Sequence, residues 1–348
     1  MCLSVIQTII LTEEDMKLES NRKRVSHALR ASKLVVFPTE TVYGIGANAL
    51  SPIASKLIYQ TKGRPSDNPL IVHIAHKEDV YKYIESASDA AVKLMHAFWP
   101  GPLTLIFKKN DVIPLETTGG LETIAIRLPR NDIARQIIID SNLPIAAPSA
   151  NLSGKPSSTA FKHVMEDFMG KVDIMIDGGQ SEIGLESTVI DTTTIVPIIL
   201  RPGFVTQAMI ESVLGYSITD QSSTGPSGEV KSPGMKYTHY KPKGEVMIID
   251  GSIEHMAAYV KDAEIKHPDK SIAVICEVEY IHDFTCKVRS LGSLNDQNEM
   301  ANNLFSALRD MDEWGIDIIF IHHISTHGLG YAMMNRLIKA SGYHIINV

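Results

Sequence analysis

Apolar positions along this chain repeat with two periods. Val25, Ala28 and Leu29 share one face of a helical spacing in residues 21–32, and Ala54, Leu57 and Ile58 repeat it ahead of Gly63. Short apolar runs stand between such stretches, at residues 33–37, 70–74, 103–107, 123–128, 144–147, 172–176, 186–191 and 198–203. Runs of that length bounded by Pro, Gly or Asp read as buried strands. Residues 1–20 read as an opening strand and loop. Residues 77–98 read as two helices, stopped by Trp99-Pro100-Gly101-Pro102, and 131–140 as one more. A helix capped by Ser157 or Ser158 runs through Phe168. After residue 244 the pattern starts afresh, with strand runs at 246–249, 272–276 and 316–321 and helical patterns at 255–263, 299–312 and 331–340. The alternation puts both halves in the α/β class, the second as a smaller, doubly wound unit.

Between the halves the composition shifts to Ser, Thr, Gly, Pro and Lys. The division this predicts is a domain over 1–216, a linker over 217–243 and a second domain over 244–348. Lys231, Lys236, Lys241 and Lys243 stand against Glu229, so the linker carries a local positive balance. Its segment Pro233-Gly234-Met235-Lys236-Tyr237-Thr238-His239-Tyr240 is denser in reactive side chains than a spacer needs. Two readings are open: a tether with a packed aromatic, or a flap that folds onto a nucleotide.

With 348 residues, 44% hydrophobic and 21% charged, the chain can bury sizeable cores. A net charge of −7 argues against a protein that coats nucleic acid, though not against a local basic groove. The cysteines are Cys2, Cys276 and Cys286, with no CxxC pair. That fits a reducing compartment, hence the cytoplasm, and excludes a thiol nucleophile in the first half. The apolar run at 5–11 is short, lacks a basic flank and is followed by Glu13-Glu14-Asp15, so neither a signal nor a membrane span is expected.

Candidate chemistry gathers at Lys62-Gly63-Arg64-Pro65-Ser66-Asp67-Asn68-Pro69-Leu70. Gly63 is a helix stop, and Pro65 and Pro69 stiffen the loop after it. In an extended segment Lys62 and Arg64 point to the same side, giving either a polyphosphate site or a solvated basic turn. Gly44 and Gly46 let backbone approach a ligand, or simply make a tight turn. Arg127 and Arg201 end apolar strands, where α/β proteins place ligands. Ser149-Ala150-Asn151 follows small residues and suits either a turn or a ligand. His322, His323 and His327 lack a carboxylate or Cys in their local run, so a metal site is not expected there.

Six motifs occur together and in order: Pro38-Thr39-Glu40-Thr41-Val42-Tyr43-Gly44; Lys62-Gly63-Arg64-Pro65 with Asn68-Pro69-Leu70; Trp99-Pro100-Gly101-Pro102-Leu103-Thr104; Ala147-Pro148-Ser149-Ala150-Asn151; Glu186-Ser187-Thr188; and Leu200-Arg201-Pro202-Gly203. The set closely resembles the YrdC-type domain of the L-threonylcarbamoyladenylate synthases. The 233–240 segment and Gly328-Leu329-Gly330-Tyr331-Ala332-Met333-Met334-Asn335-Arg336-Leu337 resemble the two-domain subfamily, so the likeness spans nearly the whole chain.

The resemblance implies an open, twisted YrdC-type α/β sheet with a deep positive cavity, joined by the linker to a smaller Rossmann-like domain. It implies formation of threonylcarbamoyl-AMP and pyrophosphate from L-threonine, bicarbonate and ATP, for N6-threonylcarbamoyl modification of a tRNA adenosine. Lys62 and Arg64 would be catalytic. ATP would meet Lys62, Arg64, Ser66, Asn68, Thr123, Ser149, Asn151, Arg201 and Tyr237, the last closing as a lid. L-threonine would meet Thr39, His73, Arg127, Ala147 and Ser187. Mg²⁺ is expected with ATP, with protein ligands unassigned. Expected partners are the downstream tRNA threonylcarbamoyl-transfer machinery and tRNA itself through a weak contact, with no membrane. The competing readings are an RNA-binding module and an ATP sensor without catalysis.

Overall fold

A computed structural model describes residues 6–222 and 239–348. They form two compact units: residues 6–153, 158–182 and 186–222 make the first, and 154–157, 183–185 and 239–348 the second.

The first unit opens with β1 (Ile9–Thr12), α1 (Glu13–Lys17), α2 (Glu19–Arg30), β2 (Val35–Phe37), β3 (Gly44–Asn48), α3 (Pro52–Lys62) and β4 (Ile71–His73). It continues with α4 (Asp89–Phe98), β5 (Leu103–Lys108), α5 (Leu115–Thr118), β6 (Thr123–Arg127), α6 (Asp132–Ser141) and β7 (Ile145–Ala146). It closes with α7 (Phe161–Phe168), β8 (Ile174–Asp177), β9 (Thr188–Asp191), β10 (Ile198–Arg201), α8 (Gln207–Leu214) and β11 (Thr219–Asp220). Among the described residues these strands form one mixed 11-stranded sheet in the order β1-β8-β2-β3-β7-β4-β6-β5-β9-β10-β11. Its apolar runs are buried, as double-faced strands require: Val35, Val36, Phe37, Val72, Leu105 and Ile126 have no exposed surface. Local signals set the helix ends. Ser51 accepts from the Ala54 amide to start α3, and Asn131 does the same for Ala134 at α6.

Three expectations are corrected. Residues 77–98 hold only one α-helix, preceded by a short 3-10 turn at Lys77–Lys82. Ser157 and Ser158 do not cap α7: Ala160 stands at its N-cap, and the Ser158 hydroxyl donates to the Ala150 carbonyl. Finally, Lys62 and Arg64 do not share the side of an extended segment. Lys62 is the last residue of α3, and Gly63 turns the chain left-handed at φ 63°, so the two side chains depart differently.

The second unit contains β12 (Glu245–Asp250), α9 (Ile253–Lys266), β13 (Ile272–Cys276), β14 (Lys287–Ser290), α10 (Gln297–Glu313), β15 (Ile318–His322), α11 (Leu329–Ala340) and β16 (Ile345–Asn347). Its strands are parallel throughout, in the order β14-β13-β15-β12-β16. Among the described residues no helix is long and apolar enough to cross a membrane.

Candidate active site

Parallel pairing of β4 with β6 sets His73 beside Arg127, and antiparallel pairing of β5 sets Thr104 on its other side. Strands β5 and β9 run parallel, bringing Ser187, just before β9, to the same end of the sheet. The register of β10 against β9 shifts between Ile199 and Arg201, a bulge of the kind that re-aims a side chain near a site. An open cleft lies here. Thr39, Arg64, His73, Arg127, Ala147, Ser149, Ser187 and Arg201 line it. Thr41, Val42, Tyr43, Gly44, Ile71, Pro148 and Glu186 complete the wall.

Each arginine is held in place. Arg64 Nη2 donates to Asn68 Oδ1 at 2.6 Å and to the Pro69 carbonyl at 3.1 Å, and Nε to the Asn68 carbonyl at 3.2 Å. Arg201 donates through Nε and Nη2 to the Ser187 carbonyl at 3.1 and 2.9 Å. Ser187 Oγ lies 2.7 Å from Thr104 Oγ1. Arg127 donates through Nη1 to Thr41 Oγ1 at 2.7 Å and through Nε to the Gly101 carbonyl at 3.2 Å. Its Nη2 lies 2.6 Å from Glu40 Oε1 in a buried ion pair. Burial pushes the Glu40 carboxyl up, but the Arg127 charge beside it outweighs this and leaves it below the usual range. Burial, and then Arg127, drive His73 down to about 3, so its imidazole is neutral. Its Nδ1 has no hydrogen-bond partner among the described residues.

Other expected residues stand behind or beside this wall. Lys62 is buried, and its Nζ donates to the carbonyls of Ser149 and Asn151. Asn68 orients Arg64, and Asn151 Oδ1 accepts from Ser149 Oγ at 2.6 Å. Ser66 is exposed. Thr123 lies at the opposite end of β6 from Arg127, paired with Lys108, roughly 13 Å along the strand. Tyr237 lies outside the described residues. Thr41 and Glu186 at the cleft wall, and Glu40 behind it on Arg127, stand in the quoted motifs but were given no role there. The one signal for Glu40 was a charge set among buried residues of the loop between β2 and β3.

The donor set also bears on Mg²⁺. Among the described residues no group of three or more His, Cys, Asp or Glu could hold a metal ion. Glu186 is the acidic residue of the cleft lining, and a single acid there fits an ion held mainly by substrate phosphates and water.

A mixed α/β sheet ending in a cleft walled by three arginines defines an enzyme class that holds anionic substrates by charge and shape. Comparison with known proteins is more specific. A family profile described as "Telomere recombination" matches residues 27–203, and one described as "Threonylcarbamoyl-AMP synthase, C-terminal domain" matches 205–342. The threonylcarbamoyl-AMP synthase of Pyrococcus abyssi is 46% identical over 344 residues, covering 98% of this chain and 100% of that protein. That of Bacillus subtilis is 43% identical, covering 95% and 96%. A crystal structure of P. abyssi Sua5 complexed with L-threonine superposes with a TM-score of 0.91 at 45% identity, covering 98% of this chain and 99% of that one. The chain belongs to the threonylcarbamoyl-AMP synthase family, in its two-domain form.

Proposed function

We propose that this chain makes threonylcarbamoyl-AMP from L-threonine, bicarbonate and ATP, releasing pyrophosphate. The observation that carries this reading is the convergence of Arg127, His73, Thr39, Ala147 and Ser187 with Arg64, Ser149 and Arg201 on one cleft, in a chain closely similar to an L-threonine-bound relative.

The ammonium of L-threonine and bicarbonate give a carbamate, water and a proton. A carbamate oxygen then attacks the α-phosphorus of ATP, and the bond to the pyrophosphate oxygen breaks as the new O–P bond forms. Such a transfer needs positioning and charge stabilisation rather than a protein nucleophile. Arg127 takes the threonine carboxylate, as a guanidinium fork suits two oxygens. Neutral His73 presents Nδ1 as an acceptor to a substrate N–H or O–H. Arg64 and Arg201 face the phosphates, while Lys62 and Asn151 brace the Ser149 loop beside them. Glu186 would be the protein contact for a Mg²⁺ ion, which would supply charge neutralisation to the phosphates. Thr123 and Ser66 serve the nucleotide further out, and Tyr237 is a further contact for ATP. The catalytic domain is 1–216, and 244–348 is the second domain. The product passes to the tRNA threonylcarbamoyl-transfer machinery in the cytoplasm, with a weak tRNA contact of this chain's own.

Pyrophosphate release tests the reading. It should require all three substrates and fall about a hundred-fold or more in Arg201→Ala, the scale expected when a charge-stabilising contact is lost. Release without L-threonine would mean a plain ATPase. ATP binding with no release would put the sensor reading ahead.

A further inference from the structure

We infer that Glu40 is a positioning residue for the reaction: it sets the orientation in which Arg127 receives the threonine carboxylate. The inference rests on the proposed role of Arg127.

Glu40 is absent from the cleft wall, whereas its neighbours Thr39 and Thr41 line it. Its side chain is 2% exposed and that of Arg127 5%, so neither charge has water to fall back on. A guanidinium has five N–H donors in a fixed plane. In Arg127, Nε donates to the Gly101 carbonyl and Nη1 to Thr41 Oγ1, while Nη2 lies 2.6 Å from Glu40 Oε1 as an ion pair outside hydrogen-bond geometry. At one N–H per hydrogen bond, Nη1 keeps one donor and Nη2 keeps both. A carboxylate's two oxygens take one such donor from each terminal nitrogen in a bidentate contact. Gly101 and Thr41 hold the guanidinium through neutral oxygens, and Glu40 is its charged partner. Without the carboxylate, the guanidinium loses the charge 2.6 Å away that offsets its own, and only the neutral Gly101 and Thr41 contacts hold its plane.

His73 adds a second consequence. It neighbours Arg127 on β4, and the Glu40 charge opposes the Arg127 effect on its imidazole. Glu40 therefore shapes two groups on the threonine side of the cleft. The Ser149–Arg64 side is built from different contacts.

Steady-state pyrophosphate release, with KM measured separately for L-threonine and ATP, tests this in the full-length chain. Glu40→Gln keeps the shape and removes the charge. We expect KM for L-threonine to rise about ten-fold or more and KM for ATP to stay within about two-fold, the split that marks one lost substrate contact. Glu40→Asp, which keeps the charge, should recover part of the loss. Glu40→Gln combined with Arg127→Gln should be no worse than Arg127→Gln alone, because the two act as one unit. An unchanged threonine KM in Glu40→Gln, an equal rise in both KM values, or an additive double variant would each overturn the inference. Should Glu40→Gln fail to fold, Thr41→Val removes the neighbouring Arg127 contact and should give the same selective rise, about three-fold or more; no selective rise would again overturn it. If Arg127→Gln leaves the threonine KM unchanged, it is the reading of Arg127 that fails. If Arg127→Gln raises it and Glu40→Gln does not, Glu40 alone is misassigned.

Discussion

His73 and Arg127 show how register converts two ordinary residues into a site. On neighbouring parallel strands they share a face, and burial beside a fixed cation keeps the imidazole neutral. The consequence for stability has a definite sign. The unfolded chain takes up a proton near pH 6.5, while folded His73 does so only at about 3. His73 therefore contributes stability above pH 6.5 that is lost as pH falls through the window from 6.5 to 3. Its share of the slope is at most about 1.4 kcal/mol per pH unit. Denaturant melts between pH 4 and 7 should show a shallower acid loss in His73→Asn than in the wild type; equal slopes would sink the assignment. Arg127 was legible as a candidate because it ends an apolar run, and His73 only through the family resemblance. The ion pair with Glu40 was not, since nothing local links residues 40 and 127.

Strands and helices were most legible where burial is symmetrical. β13 and β5 are continuous apolar runs because both faces are covered. β14 and β16 escaped notice: they are edge strands with mixed burial and no apolar run of useful length. Glycines at element ends separate backbone need from space. At Gly63, with φ 63°, a Cβ would meet nothing within 4 Å, so Gly63→Ala should cost only the left-handed conformation, about 1 kcal/mol. At Gly46 a Cβ would fall 2.5 Å from the Phe37 ring and 2.9 Å from Ile145. Gly46→Ala should therefore cost more, about 2 kcal/mol or above, by overpacking. Urea unfolding of both variants checks the order, and a reversed ranking would refute it. Gly63 also explains why Lys62 serves the Ser149 loop while Arg64 faces the cleft.

Across the whole chain the two units carry histidines of opposite sign. Glu277 follows β13, His322 ends β15, and their side chains meet at 2.7 Å at the carboxyl edge of the second sheet. Burial lowers the His322 pKa, but the Glu277 hydrogen bond and charge outweigh it, and the result is raised above the ordinary 6.5. This contribution is fully present below the unfolded value and is lost as pH rises through the folded one. His322→Gln should weaken the second unit by on the order of 1 kcal/mol at pH 6, with a smaller deficit at pH 9. Hydrogen exchange at β15 amides would report it, and a deficit independent of pH would exclude the pair as its source. Because two units need not melt together, a local probe suits the test better than one melting temperature.

The sequence by itself determined the α/β class, most strands and helices, the stop at Gly63 and the ordered motifs that mark the family. All of these are written in local spacing, where the period of apolar residues and the dihedral freedom of Gly and Pro decide the outcome. Tertiary structure alone decided which candidates meet. Lys62 turns to two carbonyls, Ser66 faces outward, Thr123 lies a strand's length from Arg127, and Glu40 pairs with Arg127. Residues 154–157 and 183–185 belong to the second unit although they lie far from the rest of it along the chain. The physical reason is that side-chain convergence depends on strand register and loop closure between distant segments, and no local pattern encodes either.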